Sequence, residues 1–367
     1  MANKYWNIAP LWNTGATYML AFGMRSNGKT YGSLKKGLEL FAASGCQMAI
    51  IRRWADDFKG KRGDTLFSPL VQDGVIENLF EGEYNTIVYK SMQWFLAKKT
   101  ENETIICSTP IAYAFPLTAM QHDKSSSYPN VLFVIFDEFL SRDGYLPNEF
   151  DLFTNTISTI VRDKEDVRVL MLGNTVSQQS PYFSSMGLVN IKNMEIGTID
   201  TYTLGEHDEL KIAVEYCETA ERSIQANKYF AFNRQGVRMI TSGSWEFDIY
   251  PRLHEKYKPS QIKFSAFVEY DNVILQMDII KLSEMFVLMI HPKTTPIKDY
   301  TKDIVYNLEF VRPNKNLICN ILVDENVFSK KILDLIVRKH VFYSDNQTGE
   351  IIRSWLQESK QNAKIIK

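Results

Sequence analysis

A glycine-rich octapeptide near the start of the chain carries the residue types that bind phosphate. Residues 23–30 read GMRSNGKT, which fits the pattern G-x-x-x-x-G-K-[ST]. In such a loop the backbone N–H groups wrap the phosphates, the lysine reaches the outer phosphates, and the last hydroxyl binds Mg²⁺. Glycine lets the backbone approach the anion closely. The predicted nucleotide-binding residues are Gly23, Met24, Arg25, Ser26, Asn27, Gly28, Lys29 and Thr30.

The segments on either side of this loop predict the structure that it requires. Residues 18–22 form an apolar run typical of a short buried strand, and a helical pattern that stops near Gly45 begins at Lys29. A phosphate binds well at a helix N-terminus, where N–H groups are free and the helix dipole is positive. The loop therefore predicts ATP binding, with Lys29 on the phosphates and Thr30 as a ligand of Mg²⁺.

Two adjacent carboxylates follow a strongly apolar segment further along the chain. Residues 131–136, VLFVIF, indicate a fully buried strand that delivers Asp137 and Glu138 at its carboxyl end. Open α/β sheets bind their ligands at this end of their strands. We therefore predict that Asp137 holds Mg²⁺ and that Glu138 polarises the attacking water as the catalytic carboxylate. An acidic pair after a strand is common by itself, and it becomes specific because it accompanies the phosphate loop.

Buried strands that alternate with helices predict an α/β fold for the first two hundred residues. Further strands are predicted at residues 47–52 and 167–172, and an inserted hairpin within residues 86–110. A helix capped by Asn148 is predicted to end near Arg162. Strands without polar alternation indicate a parallel sheet covered on both faces. We predict a P-loop NTPase domain of the class with an additional strand and a catalytic glutamate (ASCE).

The second half of the chain predicts a linker and a smaller α+β domain. Residues 205–243 are polar and partly helical in pattern, which indicates a linker or a small helical hub. Strand candidates then follow one another within residues 261–323, and helices are predicted at residues 329–341 and 349–359. The predicted domains are residues 1–204, 205–243 and 244–367.

Composition sets limits on the partners. The chain has 367 residues and a net charge of −1 at pH 7, so any DNA-binding surface must be a local patch. Lys59, Lys61 and Arg62 form one candidate, although such a run is also typical of a solvated loop. Four cysteines without zinc or disulfide spacing predict a reduced, cytoplasmic setting. We expect no signal peptide and no membrane span, because the apolar stretches are short or interrupted by charge.

Several short motifs around these residues resemble one family of viral proteins. They are SYPN at residues 127–130, VLFVIFDEF at 131–139, YLPNE at 145–149, LGN at 172–174 and PYF at 181–183. Together with GMRSNGKT they resemble the genome-packaging (encapsidation) ATPases of small short-tailed, protein-primed phages and the related terminase large subunits. The resemblance runs in order over roughly residues 15–185.

This resemblance implies a motor subunit that hydrolyses ATP and moves double-stranded DNA into a procapsid. It implies a homo-oligomeric ring, which is a pentamer in this family. The ring docks at the procapsid portal in the host cytoplasm. Whether a structural RNA takes part is left open by the resemblance. Arg162 matches an arginine finger that acts on a neighbouring subunit's ATP, and Asn174 matches a sensor of the γ-phosphate. Arginine is also favourable at any helix C-terminus, and asparagine is common in turns, so these structural explanations stay open.

The resemblance also implies that the C-terminal domain has an RNase H-like nuclease fold that has lost its acidic cluster. Glu269, Asp271 and Asp278 lie near its first predicted strands, but they form no clear metal-binding trio. Cleavage by two metal ions needs several carboxylates that converge on the metals. We therefore expect a module that grips DNA or the portal rather than a nuclease.

Two other classes of function are compatible with the phosphate loop. One is a different ring DNA translocase or a helicase, and the other is a nucleotide-regulated switch or packaging adaptor that does not hydrolyse ATP. Guanine-specific switches carry N-K-x-D, and the three Asn-Lys pairs, at residues 3–4, 227–228 and 314–315, lack the aspartate. The glutamate after Asp137 favours turnover over switching.

Overall fold

The chain divides into two units, and each unit has its own apolar core. The computed structural model describes residues 5–122, 127–142, 144–162, 164–205, 209–218, 250–283, 285–310 and 313–365. Unit 1 comprises Met1–Ser141 and Asn148–Glu246, and unit 2 comprises Arg142–Pro147 and Phe247–Lys367. Most of the predicted linker falls in residues 219–249, which lie outside the described residues. Among the described residues, no helix combines the length and apolar character that a bilayer crossing requires.

The described part of unit 1 contains a nine-stranded sheet. Its strands are β1 (Tyr18–Gly23), β2 (Gln47–Arg52), β3 (Thr86–Lys90), β4 (Gln93–Lys99), β5 (Thr104–Pro116), β6 (Val131–Asp137), β7 (Arg168–Asn174), β8 (Ile199–Leu204) and β9 (Leu210–Tyr216). Their order is β3-β4-β5-β2-β6-β7-β1-β9-β8. The strands from β5 to β9 in this order are parallel, and β3, β4 and β8 extend the two sides in antiparallel pairing.

Because six neighbouring strands are parallel, their carboxyl ends meet at one edge of the sheet. We call this the C-terminal edge and the opposite one the N-terminal edge. Strand β7 lies between β1, which leads into the phosphate loop, and β6, which ends in the acidic pair. The predicted ASCE arrangement requires an additional strand at this position, so the structure confirms the predicted fold class of the N-terminal domain.

Helices cover the sheet of unit 1 and bury its apolar strands. They are α1 (Ala9–Trp12), α2 (Lys29–Ser44), α3 (Lys61–Asp64), α4 (Ser68–Gln72), α5 (Val75–Leu79), α6 (Glu149–Val161) and α7 (Pro181–Ser185). In α2 the buried Leu34 and Leu38 lie one turn apart, and in α6 Phe153, Ile157 and Ile160 repeat at the same spacing. These apolar faces account for helix formation, because burial of one face stabilises a helix more than intrinsic propensity does.

Most predicted elements of unit 1 are confirmed, and two predictions are wrong in detail. Residues 210–216, predicted to lie in a partly helical hub, form strand β9 beside β1. Five of these seven residues are apolar and only two are polar, so the local pattern does not distinguish a strand from a helix, and pairing with β1 decides the outcome. Asn148 does precede α6, but its side chain makes no capping hydrogen bond because the residue is left-handed, with φ of 52°.

The described part of unit 2 contains a six-stranded sheet with two helices. Its elements are β10 (Ile262–Tyr270), β11 (Val273–Leu282), β12 (Met285–Pro292), β13 (Ile304–Tyr306), β14 (Leu317–Ile318), α8 (Val327–Val337), β15 (Val341–Tyr343) and α9 (Asn346–Ile365). The strand order is β14-β13-β10-β11-β12-β15, with β10, β11 and β12 antiparallel. Ile332 and Leu335 of α8 and the fully buried Trp355 of α9 share one core with these strands.

The predicted strand at residues 317–323 and the predicted helix at 329–341 are both too long. The strand stops at Ile318, because the Asn320 side chain accepts a hydrogen bond from the Leu322 N–H at 2.9 Å and so forms a turn. The helix stops at Val337, and Lys339 follows in a left-handed conformation with φ of 60°. The chain is then free to form β15 against β12.

Candidate active site

The phosphate loop connects the end of β1 to the start of α2 at the C-terminal edge. Gly23 is the last residue of β1, and Gly28 is the N-cap of α2. Gly28 has φ of 89°, and a Cβ atom there would lie 2.8 Å from the Tyr5 ring, so both conformation and space require glycine. The Trp6 N–H donates to the Asn27 carbonyl at 2.8 Å, which fastens the N-terminal segment to the loop.

Lys29 lies inside this loop, as the motif predicts. Its side chain is buried, and its ammonium donates to the Met24 carbonyl at 2.9 Å and to Asn27 Oδ1 at 3.2 Å. Burial lowers the pKa of Lys29, and the negative charges of nearby acidic groups only partly oppose this. Its hydrogen-bond acceptors are neutral, so they leave the buried charge without full compensation. An anionic phosphate at this helix N-terminus supplies that compensation, and the loop therefore fits a nucleotide.

The predicted metal ligands meet across the gap between α2 and β6. Thr30 Oγ1 donates to Asp137 Oδ1 at 3.1 Å, and the Asp137 side chain is almost fully buried. A hydroxyl and a carboxylate side by side are the hard oxygen donors that Mg²⁺ prefers, so this pair fits the predicted ion. Arg52, the last residue of β2, forms an ion pair with Asp137, in which the Nη2 atom of Arg52 lies 2.6 Å from Asp137 Oδ2. Burial by itself lowers the pKa of Arg52, but Asp137 raises it above its ordinary value.

Glu138 differs sharply from the aspartate that precedes it. Its side chain is exposed, and its backbone is left-handed with φ of 63°. The next residue turns back toward the sheet, where the Phe139 N–H donates to the Leu172 carbonyl at 3.0 Å. The sharp turn at the end of β6 therefore projects the carboxylate of Glu138 into solvent at the C-terminal edge, next to the buried Asp137.

Asn174 lies at the same edge as these groups. It is the last residue of β7, and its register partner in β1 is Gly23, the first residue of the phosphate loop. The N–H of Thr175 donates to the Gly23 carbonyl at 3.2 Å, which holds the end of β7 against the loop. The structure thus brings Asn174 together with the predicted catalytic residues, as a contact with the terminal phosphate requires.

Arg162 is the one predicted catalytic residue that lies at the opposite edge. It follows the last residue of α6, is exposed, and has φ of 41°. Nearby Lys164 donates to the carbonyls of Tyr128 and Val131, where β6 begins, so this segment is anchored at the N-terminal edge. A strand of seven residues separates the edges by roughly 20 Å. The guanidinium of Arg162 therefore lies too far away to act on the phosphates bound by its own chain.

The remaining predicted basic residues are exposed. Arg25 lies at the outside of the phosphate loop. Lys59 forms an ion pair with Asp56 at 2.7 Å, and Arg62 forms one with Asp57 at 3.5 Å. These carboxylates reduce the local positive charge, so the candidate DNA patch is weaker than its sequence indicates.

Two residues around the site have contacts that the sequence does not predict. Arg53, one of the two arginines at the end of the second predicted strand, forms a buried ion pair with Glu149. Glu215 in β9 accepts hydrogen bonds from Trp6 Nε1 at 3.0 Å. Burial raises the pKa of Glu215 to about 7. Two consecutive arginines at the end of a buried strand are an available signal, whereas Glu215 falls in the segment that the sequence assigns to a linker.

Comparison with known proteins agrees with this geometry. Residues 3–317 match the family model described as Podovirus DNA encapsidation protein (Gp16). The chain is 34% identical over 170 residues to the DNA packaging protein of Bacillus phage B103, covering 46% of this chain and 47% of that protein. It is 28% identical over 200 residues to the DNA packaging protein of Bacillus phage phi29, covering 54% of each. The chain therefore spans about half the length of the curated relatives it matches.

Two solved structures share the fold over nearly the whole chain. One is a chain of the bacteriophage Phi-29 viral genome packaging motor assembly, with a TM-score of 0.60, 20% identity, and coverage of 97% of this chain and 100% of that one. The other belongs to the Phi-28 gp11 DNA packaging motor, with a TM-score of 0.58, 19% identity, and coverage of 98% and 99%. Since the family model matches far more than half of the residues, the chain belongs to the Podovirus DNA encapsidation protein (Gp16) family.

Proposed function

We propose that this chain is an ATP-hydrolysing motor subunit that moves double-stranded viral DNA into a procapsid. The observation that carries the proposal is the meeting of Lys29, Thr30, Asp137 and Glu138 at the C-terminal edge of a parallel sheet. Each of these residue types has a distinct task in phosphoryl transfer to water. The family assignment and the names of the relatives, which are DNA packaging proteins, supply the biological setting.

In this proposal the chain's own residues bind ATP and orient the attacking water. The loop N–H groups and Lys29 bind the phosphates, and Thr30 and Asp137 hold Mg²⁺, which offsets charge on the phosphates. Glu138 accepts the proton of the water whose oxygen attacks the γ-phosphorus, and ADP leaves. Asn174 contacts the γ-phosphate or the water. Arg162 acts on the ATP of a neighbouring subunit, as an arginine finger supplied in trans.

The family and the placement of Arg162 support a proposed assembly. The motor is a homo-oligomeric ring, which we propose to be a pentamer, docked at the procapsid portal in the host cytoplasm. A structural RNA is a further candidate component. DNA contacts are made to phosphates rather than to bases, because a packaging motor must move along any sequence.

We assign unit 2 a gripping role toward DNA or the portal, without nuclease activity. Asp278, the buried acid on β11, accepts hydrogen bonds from Ser265 at 2.6 Å and Gln276 at 2.9 Å, and it pairs with His291 at 3.2 Å. These partners occupy the oxygens that a catalytic metal needs. Incubation of the protein with plasmid DNA and Mn²⁺ tests the assignment, and metal-dependent cleavage would overturn it.

The decisive test measures ATP hydrolysis and DNA protection together. The purified chain is assayed alone, with linear DNA, with procapsids, and with both, and encapsidated DNA is measured by its resistance to added DNase. We expect the hydrolysis rate to be highest with both partners, with packaged DNA accumulating in proportion. Hydrolysis stimulated by DNA alone, without protected DNA, would indicate a different translocase or helicase. ATP binding without turnover in every mixture would indicate a packaging adaptor.

A further inference from the structure

A buried ion pair lies directly behind the catalytic carboxylate. Arg53, one residue beyond β2, donates through Nε to Glu149 Oε2 at 2.7 Å and through Nη2 to Oε1 at 2.8 Å. Arg53 is 7% exposed and Glu149 2% exposed. The hydroxyl of the fully buried Tyr182 donates to Glu149 Oε1 at 2.7 Å. The two charges thus form a bidentate pair whose carboxylate is further fixed by a third residue.

The same guanidinium also holds the backbone at the catalytic turn. Arg53 Nη1 donates to the Glu138 carbonyl at 3.2 Å, and Nη2 donates to the Phe139 carbonyl at 2.9 Å. Glu138 has φ of 63°, a conformation that is uncommon for a non-glycine residue and that persists only where its surroundings impose it. Arg53 therefore bonds to the carbonyl on the far side of the strained residue and to the next carbonyl along the chain.

We propose that Arg53, held by Glu149 and Tyr182, is the positioning residue for Glu138. By fixing the two carbonyls, it sets the direction in which the Glu138 side chain leaves the backbone, and so the place of the carboxylate beside the attacking water. This inference rests on the proposed ATPase function. Arginine suits the task because its rigid fork presents several donors in one plane, whereas lysine offers a single point charge.

None of the hydrogen bonds described above for Arg53, Glu149 and Tyr182 reaches the phosphate loop or the proposed Mg²⁺ ligands Thr30 and Asp137. Its partners are Glu149 in the first turn of α6, Tyr182 in α7, and the carbonyls of residues 138 and 139. Weakening it is therefore expected to lower the rate of the chemical step without weakening ATP binding. A small displacement of the general base is enough to slow the chemical step, since misplacement by about 1 Å can cost about 10²-fold in rate.

The test compares four single variants and one double variant of the whole 367-residue chain in two assays. Arg53→Lys keeps the charge but loses the fork, Tyr182→Phe keeps the ring but loses one hydrogen bond, and Glu138→Gln removes the carboxylate. Arg168→Lys is the matched control, because Arg168 is half-buried at the N-terminal edge, where it packs on the Trp12 ring at 4.4 Å. The assays are the dissociation constant of a fluorescent ATP analogue and the single-turnover rate of ATP hydrolysis.

We expect Arg53→Lys to lower the single-turnover rate about 10²-fold and Tyr182→Phe roughly 5-fold, with dissociation constants within about twofold of wild type. Arg168→Lys should match wild type in both assays. Because Arg53 acts through Glu138, adding Arg53→Lys to Glu138→Gln should lower the residual rate by less than about twofold. A purely structural role for Arg53 predicts an equal loss in both backgrounds.

The outcomes separate this inference from the proposed function. If wild type does not hydrolyse ATP above background, the ATPase assignment itself is wrong. If wild type and Glu138→Gln hydrolyse ATP at the same rate, the protein is an ATPase but Glu138 is not its general base, and the positioning role of Arg53 is wrong with it. If the rate depends on Glu138 but Arg53→Lys matches wild type, or loses ATP affinity instead of rate, only the positioning role is wrong. If Arg53→Lys does not fold, Tyr182→Phe decides, because its change removes a single hydroxyl, and a wild-type rate for it overturns the proposal.

Discussion

The two edges of the sheet in unit 1 differ in what they carry. The C-terminal edge gathers the phosphate loop, the predicted metal ligands Thr30 and Asp137, Glu138 and Asn174. The N-terminal edge carries Arg162, about one strand length away, next to a loop that Lys164 anchors. One edge thus has the buried ammonium of Lys29, a hydroxyl paired with a carboxylate and the exposed carboxylate of Glu138, and the other has the exposed Arg162, whose φ is positive.

This difference indicates how a ring of identical subunits can couple its members. A single chain cannot bring both edges to one nucleotide, since a strand of seven residues lies between them. In a ring, one subunit can present its N-terminal edge to the C-terminal edge of the next subunit. Hydrolysis would then depend on the contact between subunits, as a coordinated motor requires.

The largest expected effect comes from removing the arginine of the N-terminal edge. Arg162→Ala should bind ATP normally, yet the assembled protein should hydrolyse it about 10³ to 10⁵-fold more slowly, because no finger offsets the charge that develops on the phosphates. The measurement is the steady-state rate in the presence of procapsids and DNA. An equal rate in the assembled variant and wild type would remove Arg162 from the mechanism.

Two substitutions at the C-terminal edge should stop hydrolysis in different ways. Glu138→Gln should lower the rate about 10² to 10⁴-fold and leave ATP tightly bound, since it removes only the general base. Lys29→Ala should weaken ATP binding itself, because the phosphates lose a buried countercharge. Equilibrium binding of a fluorescent ATP analogue separates the two, and an equal loss of binding in both variants would contradict the assigned roles.

Glu215, in β9, should make the free energy of unfolding of the protein depend on pH. Burial raises the pKa of Glu215 from 4.5 to about 7, so the folded protein binds a proton that the unfolded chain releases. The free energy of unfolding should therefore fall by roughly 3 kcal/mol as pH rises from 4.5 to 7. In Glu215→Gln this part of the decrease should vanish. Urea unfolding at several pH values measures it, and identical profiles for both proteins would show that the carboxyl does not titrate in this range.

The smallest effect is expected at the basic segment that follows β2. Lys59 and Arg62 already pair with carboxylates, whereas for Lys61 the described residues show no acidic partner. If Lys61 contacts a DNA phosphate, Lys61→Ala should reduce the slope of log K against log salt by about 0.9. Lys59→Ala should change the slope less. Fluorescence anisotropy with DNA of two unrelated sequences measures the slopes, and a preference for one sequence would count against translocation.

The sequence was sufficient for the part of the site that depends on local motifs. Gly23 to Thr30 and the Asp137-Glu138 pair each combine a short pattern with a neighbouring buried strand, so their place at the sheet edge could be predicted. Parallel pairing then brings the two patterns to the same edge, because each follows the carboxyl end of a strand.

The contacts between distant segments could not be predicted in this way. Arg53 and Glu149 lie 96 residues apart, and only the paired strands bring them into contact. Residues 210–216 form a strand because β1 offers a partner about 190 residues earlier in the chain. The local pattern of those residues fits either a strand or a helix. The sequence therefore lacked the identity of the neighbouring strand, β1, and not a stronger strand propensity.

The placement of Arg162 and Glu138 at opposite edges is tested most directly by mixing two inactive proteins. Arg162→Ala keeps an intact Glu138 site, and Glu138→Gln keeps an intact arginine. In mixed rings some interfaces pair the two intact groups, so hydrolysis should recover to a rate well above that of either variant alone. The control replaces Glu138→Gln by the double variant Glu138→Gln with Arg162→Ala, which cannot restore any interface. Recovery with the first mixture and none with the control is the predicted result, and no recovery in rings shown by native mass spectrometry to contain both variants would contradict action between subunits.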